Sequence, residues 1–241
     1  MPQSLLGETT GHIAKRALPS LLACIVTMVL ILPAWGGDKE KDEETLKNAA
    51  NVLQEMLNSN NVPPDVIAKA DCVMVLPNVK KFGIGIGGSG GRGPMSCRAG
   101  KNFTGKWSAP AMYTVGGVSA GLQVGGTSSD FVLLITTEKG VNAILKGKTK
   151  LGSDATAAAG PSGATAGSVA GNDILTYGRA KGLFAGVSLG SASLEPDNDA
   201  NKRLYGKAIS AEEIVRGKVP TPAGGKPLIS LLDSKVGKHS N

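Results

Sequence analysis

Between Asp38 and Ala70 the apolar residues fall at helical spacing. Leu46, Ala49, Ala50, Leu53, Met56 and Leu57 form one stripe. Asp and Glu crowd the first turn, where the positive end of the helix dipole favours them. The pattern predicts a long helix stopped by "NSNNVPP" and a short second one over Asp65–Ala70. The stripe reads as core packing. A membrane-surface helix would carry lysines on its polar face, and this face is largely acidic. From Asp71 the period becomes two, and "DCVMVLP" predicts a buried strand. In "KFGIGIGG" Phe82, Ile84 and Ile86 alternate with Gly83, Gly85 and Gly87. That alternation predicts a strand burying its apolar set. Its glycine face is left open to a neighbouring backbone, or to a ligand such as an acyl chain.

Further on, "SGGRGP" predicts a turn, and "SAPAMYTVGGVSAGLQVGGTSSDFVLLITT" two or three strands with glycine bends. "TEKGVNAILKGK" predicts a short helix, and the small residues of "LGSDATAAAGPSGATAGSVAG" close-packed strands. "DILTYGRAKGLFAGVSLGSASLEP" adds two strands, and "DNDANKRLYG" and "SAEEIVRG" two capped helices. Strands without long intervening helices predict an α+β fold. It consists of a mostly antiparallel sheet or sandwich with an N-terminal helical segment and short C-terminal helices. The expected organisation is a leader over 1–36, one domain over 38–217 and a flexible tail over 218–241.

The leader rests on its own pattern. Lys15 and Arg16 precede an apolar run from Ala17 to Leu32, followed by the small-x-small triplet Ala34-Trp35-Gly36 and a sharply polar stretch. This reads as a secretory signal peptide and predicts an exported, periplasmic or envelope-associated protein. A retained single-span anchor is the alternative. Export leaves Cys72 and Cys97, which could pair in an oxidising compartment.

Candidate chemistry changes the picture little. Gly85, Gly87 and Gly90 spell G-x-G-x-x-G, but "GRGP" follows where a helix should start. No acid lies between Asp71 and Asp130 to hold a ribose. G-x-S-x-G occurs at Ser89, Ser119 and Ser188, which makes it noise in a chain with 34 glycines. The only histidines are His12 and His239, so a catalytic base is missing. No cluster has metal-ligand spacing. The expectation is a protein without enzymatic activity or cofactor.

Charge is more informative. The chain carries a formal +7. In the acid-free span from Cys72 to Ser129 stand Lys80, Lys81, Arg92, Arg98, Lys101 and Lys106 without local compensation. "KGKTK" places Lys146, Lys148 and Lys150 on one side of an extended segment, and Arg179 and Lys181 alternate likewise. Lys80, Lys81, Lys146, Lys148, Lys150, Arg179 and Lys181 are the candidate anion-binding residues. Anionic phospholipid surfaces fit them best. Nucleic acid does not, because export removes the chain from it and stacking aromatics are scarce.

Taken in order, four blocks resemble the signature blocks of the SYLF domain, also called Ysc84-type. They are "KADCVMVLPNVKKFGIGIGGSGGRG", "GKWSAPAMYTVGGVSAGLQVGGTSSDFVLLITTEKGV", "KTKLGSDATAAAGPSGATA" and "ILTYGRAKGLFAGVSLGSASLEPDNDANKRLYG". The resemblance runs from about Asp42 to Gly206 and points to the bacterial, exported branch. It implies a non-enzymatic lipid-binding module, with phosphoinositide binding in eukaryotic members and actin binding in some fungal ones. Actin is absent from an exported compartment, so anionic phospholipid is the expected partner. A lipid carrier with an apolar cavity and an envelope protein–protein scaffold are the alternatives. The resemblance also assigns fold-maintaining roles to Trp107, Pro110, Gln123, Asp130, Pro161, Tyr177, Gly182, Phe184, Asp199, Asn201 and Tyr205. Asp199 and Asn201 would tie down a terminal helix, Trp107 would anchor a strand pair, and Arg179 would carry function.

Overall fold

Two very long strands, β1 (Cys72–Cys97) and β2 (Ala111–Ile135), organise the chain. The computed structural model describes residues 35–100, 102–147, 149–151, 156–159, 173–181, 189, 192–217 and 219–236. Residues 37–241 make up one compact unit. Ahead of the strands lie α1 (Trp35–Asn58) and α2 (Pro64–Ile67). After them come α3 (Glu138–Leu145), β3 (Thr149–Lys150), β4 (Thr156–Ala159), β5 (Ile174–Lys181) and β6 (Ser193–Pro196). The chain then forms α4 (Asn198–Tyr205), α5 (Ala211–Arg216), a 3-10 turn at Ala223–Gly225 and α6 (Lys226–Lys235). The α+β class is as expected, with antiparallel pairing everywhere except between β4 and β5 among the described strands.

β2 is the spine of the sheet. β1 runs along one side of it from Cys72↔Ile135 to Met95↔Ala111. On the other side β5 pairs with its C-terminal half and β6 with its N-terminal half, in one common register. The β1–β2 ribbon folds back on itself. Cys72 and Cys97, at opposite ends of β1, are joined by a disulfide with their Cα atoms 4.0 Å apart. A Cβ on Gly91 would meet the Cα of Val79 at 3.1 Å, and one on Gly93 would run into the Val75 carbonyl. The two limbs of β1 therefore touch through backbone. For these two glycines the neighbour is backbone.

The core follows from that folding. One cluster includes Met74, Leu76 and Val79 from the first limb and Met95, Tyr113 and Val115 from the second, with α3 and α5 contributing Val141, Ile144, Ile214 and Val215. The other face of the first limb presents Val73, Val75, Val132 and Leu134, continued by Leu175 and Tyr177 of β5. Against it pack Leu53 and Met56 of α1, Ile67 of α2, and Leu228 and Leu232 of α6. Strands covered on both faces read as unbroken apolar runs, which is why "CVMVLP" and "FVLLI" do not alternate.

Two expectations are corrected. Phe82 is 67% exposed, not buried, and the side chains of Ile84 and Ile86 lie outside the described residues. Residues 219–236, expected in a flexible tail, hold the 3-10 turn and α6, with Leu228, Leu232 and Val236 buried. The prolines and glycines of "VPTPAGGKP" mark a close turn against the domain: the Gly224 amide donates to Glu43 of α1, and a Cβ on Gly225 would meet Pro110 at 2.8 Å.

Candidate functional site

The arginines of the sheet are occupied. Asp42 on α1 is fully buried and pairs with Arg92 of β1 and with Arg203 of α4, the latter at 2.7 Å. Arg92 also lies 3.4 Å from Asp197. Arg179 faces Asp130 across the β2–β5 register and binds it at 2.9 Å, while Glu55 of α1 holds the same guanidinium at 2.7 Å. Hydrogen bonds to Asp130 and Glu55 raise the pKa of Arg179, and Asp42 does the same for Arg203. Arg98 is buried, 4.5 Å over the Trp107 ring, and donates to the Val236 carbonyl at 3.0 Å. The cations expected to lack compensation are thus partly neutralised, by carboxylates far away in sequence. Arg179 becomes a fastener between β5, β2 and α1.

The lysines are placed differently. Lys80 is exposed on β1 and pairs in register with Ser128, which pairs on its other side with Lys181. Residues directly opposite across strands share a face, so positions 80, 128 and 181 make one row. The Lys181 side chain lies outside the described residues. Lys81 occupies the opposite face, half-buried, and its desolvation lowers its pKa. Lys146 is not in a strand. It is the helical C-cap of α3, and the chain turns at Gly147, whose φ of +76° suits glycine. Lys148 lies outside the described residues, and Lys150 is exposed on β3 opposite Ser193. Lys146 and Lys150 therefore do not share one extended row.

The bend between the limbs holds residues that sequence reasoning misjudged or missed. Phe82 and Val118 are the two large apolar side chains exposed among the described residues. A Cβ on Gly88 would touch the Phe82 ring at 3.2 Å, and Gly88 is the register partner of Val118.

The remaining expectations concern support. Asn201 holds β2 through its side chain, accepting from the Met112 amide at 2.7 Å and donating to the Met112 carbonyl at 3.2 Å. The cap of α4 is Asp197, not Asp199, and its carboxylate accepts from the Ala200 amide at 3.0 Å. Tyr205 donates to the Pro110 carbonyl at 2.7 Å. Trp107 bridges to Arg98 as the only bridge outside the named strands among the described residues. Tyr177 is buried, whereas Pro161, Gly182 and Phe184 and the Gln123 side chain lie outside the described residues. A cavity of about 250 Å³ opens among Cys97, Arg98, Phe103, Val141, Val215 and Arg216. Among the described residues no group of three His, Cys, Asp or Glu could hold a metal. No described helix is long and apolar enough to cross a membrane.

The class these features define is an α+β domain built on one folded-over antiparallel ribbon, fastened by arginine–carboxylate pairs and a disulfide. The model of the Ysc84 family, described as Las17-binding protein actin regulator, matches residues 116–235. The chain belongs to this family, the SYLF-domain proteins. It is 35% identical over 207 residues to the human SH3 domain-containing YSC84-like protein 1, covering 81% of this chain and 59% of that one. It is 31% identical over 204 residues to Protein YSC84 of Saccharomyces cerevisiae, covering 79% and 43%. LAS seventeen-binding protein 3 of the same yeast shows 32% identity over 206 residues, covering 79% and 44%. The chain thus spans about three fifths or less of the length of these relatives. No solved structure matches it.

Proposed function

We propose that the chain is a non-enzymatic lipid-binding module that docks on anionic membrane surfaces through its exposed lysines. One observation carries this reading: Lys80 stands exposed on β1, the register sets Lys181 in a row with it through Ser128, and Lys150 is exposed on β3. Near an anionic surface each such residue contributes about 1 kcal/mol, so a few give a useful and salt-sensitive affinity. The signal-like N-terminus and the Cys72–Cys97 disulfide both favour an exported protein of the periplasm or envelope. In that setting phosphatidylglycerol-type lipids are the available ligands.

Two observations bear on the alternatives. The described cavity of about 250 Å³ includes two arginines in its lining and so does not itself suit an apolar chain. It also falls short of the roughly 300–1,000 Å³ typical of pockets for drug-sized ligands. The family description names Las17 binding and actin regulation, which supports a protein-binding reading for a chain located in the cytosol.

Vesicle co-sedimentation tests the proposal. Binding that requires phosphatidylglycerol, weakens between about 0.1 and 0.5 M salt and falls in Lys80→Glu/Lys150→Glu supports it. Salt-independent binding, or none, overturns it. Co-sedimentation with actin filaments in the absence of lipid would favour the protein-binding reading.

A further inference from the structure

Charge alone holds a protein to a bilayer weakly, and salt screens it. An apolar anchor beside the charges adds a contribution that salt does not remove. The bend of the β1–β2 ribbon offers such an anchor.

Phe82 is 67% and Val118 75% exposed, in a protein whose other large apolar side chains are largely covered among the described residues. They come from different strands yet emerge together. A side chain on Gly88 would meet the Phe82 ring at 3.2 Å, and Gly88 pairs in register with Val118. Lysines flank them on β1 and β3. Lys80 stands two residues from Phe82 on the same face of β1. Lys150 pairs with Ser193 and Ser193 with Gly116, so Lys150 lies two strands across from a position two residues from Val118, on the same face. The strand geometry puts each lysine within about 7–12 Å of the apolar pair.

We propose that this bend is a membrane-insertion point. Phe82 and Val118 enter the acyl boundary of an anionic phospholipid bilayer, and Lys80 and Lys150 meet its phosphates. The inference rests on the docking reading above and adds the apolar half of the contact. The occupant follows from size and charge. Among the described side chains the exposed apolar surface is this one pair with lysines beside it, as an anionic bilayer surface requires. A bilayer needs only a few apolar anchors ringed by cations. The glycines around the pair have a role here too, because their lack of side chains leaves Phe82 and Val118 standing proud of the ribbon.

The test uses the full chain and vesicles of phosphatidylcholine with about 30% phosphatidylglycerol, anionic enough to attract the lysines. Phe82→Ser/Val118→Ser changes exposed side chains only, so its thermal unfolding should match that of the parent. Its vesicle affinity should fall by more than about tenfold, from the apolar burial lost. The binding that survives should vanish by about 0.5 M salt, whereas the parent's does not. Phe82→Trp gives a second readout: its added emission should shift to the blue and be quenched by lipids brominated on the acyl chain. Parent-like binding of the double variant, together with no such quenching in Phe82→Trp, overturns the insertion and leaves electrostatic docking standing. Failure of the parent to bind any anionic vesicle removes the docking reading and the insertion with it. Lipid-free binding to actin filaments that the double variant abolishes would assign the bend to a protein partner and overturn the proposal.

Discussion

Asp130 and Arg179 face each other across β2 and β5, and Glu55 from α1 closes on the same guanidinium. The Asp130 carboxylate is fully buried and also accepts from the Asn78 amide at 2.9 Å, where β1 shifts register. One group therefore fixes a bulge, a strand pair and a helix. Removing one partner of a buried pair leaves the other uncompensated, at a cost of about 3–5 kcal/mol. Asp130→Ala should lose stability in that range in urea unfolding. Arg179→Ala should lose at least as much, because it leaves the buried Asp130 carboxylate without its guanidinium, and its vesicle affinity per folded molecule should stay within about twofold of the parent. A selective loss of lipid binding in Arg179→Ala would restore the functional role that its sequence position suggested.

How much of this was legible in the sequence depends on how local each feature is. The stripe on α1, the buried strands and the capped helices arise from neighbours along the chain. Ser210 shows this well: its side chain accepts from the Glu213 amide, and the Glu213 carboxylate accepts in return from the Ser210 amide. Ion pairing is not local. Asp42 and Arg92 lie 50 positions apart and Glu55 and Arg179 lie 124 apart, so a charge count over a window missed their neutralisation. The fate of Phe82 was hidden for a related reason. Period-two alternation fixes which residues share a face, but the folding of the ribbon decides whether that face is covered.

The disulfide bears on stability through the same folding. Cys72 and Cys97 close a loop with a sequence separation of 25. A loop of that size stabilises by about 3 kcal/mol through the unfolded chain. Cys72→Ser/Cys97→Ser should therefore melt roughly 6–12 °C lower than the oxidised parent. Dithiothreitol should shift the parent but not the double variant.

Asn201 carries a different weight. It satisfies both the amide and the carbonyl of Met112, inside a small cluster of Leu46, Met112, Ala200 and Leu204. Asn201→Ala strands the Met112 amide, whereas the Met112 carbonyl keeps the Asp197 amide at 2.9 Å, and should cost about 1–3 kcal/mol. Asn201→Asp keeps the acceptor and loses the donor, so its midpoint in urea should lie lower than the parent's.

Asp173 predicts an acid-sensitive contact at the start of α3. Its carboxylate accepts from Lys139 at 2.9 Å and from Thr137 at 2.7 Å, and these bonds, Lys139 first, hold its pKa below the ordinary carboxylate value of 3.8. A depressed pKa stabilises the fold above the unfolded value, and this is lost as pH falls through the folded one. Lys139 is well exposed, so solvent screening keeps the gain small. Asp173→Asn should thus lose stability at about pH 7 and match the parent at about pH 2, giving a shallower acid limb in thermal melts.

Glycines of the ribbon separate into two kinds, and alanine tells them apart. Gly93 has the Val75 carbonyl and the Leu76 Cα where a Cβ would sit, because the two limbs of β1 touch there. Gly90, three residues earlier, has nothing within 4 Å. Neither has a positive φ, so backbone strain does not separate them. In Gly93→Ala the limbs must part, which also strains the cluster of Met74, Leu76, Met95 and Tyr113 beneath them. Overpacking of that kind costs about 1–3 kcal/mol or more. Gly90→Ala should be neutral or slightly stabilising, since it removes only the freedom of the unfolded chain. Urea midpoints for the two variants check the folded-over ribbon directly: equal values would mean that the limbs do not meet at Gly93.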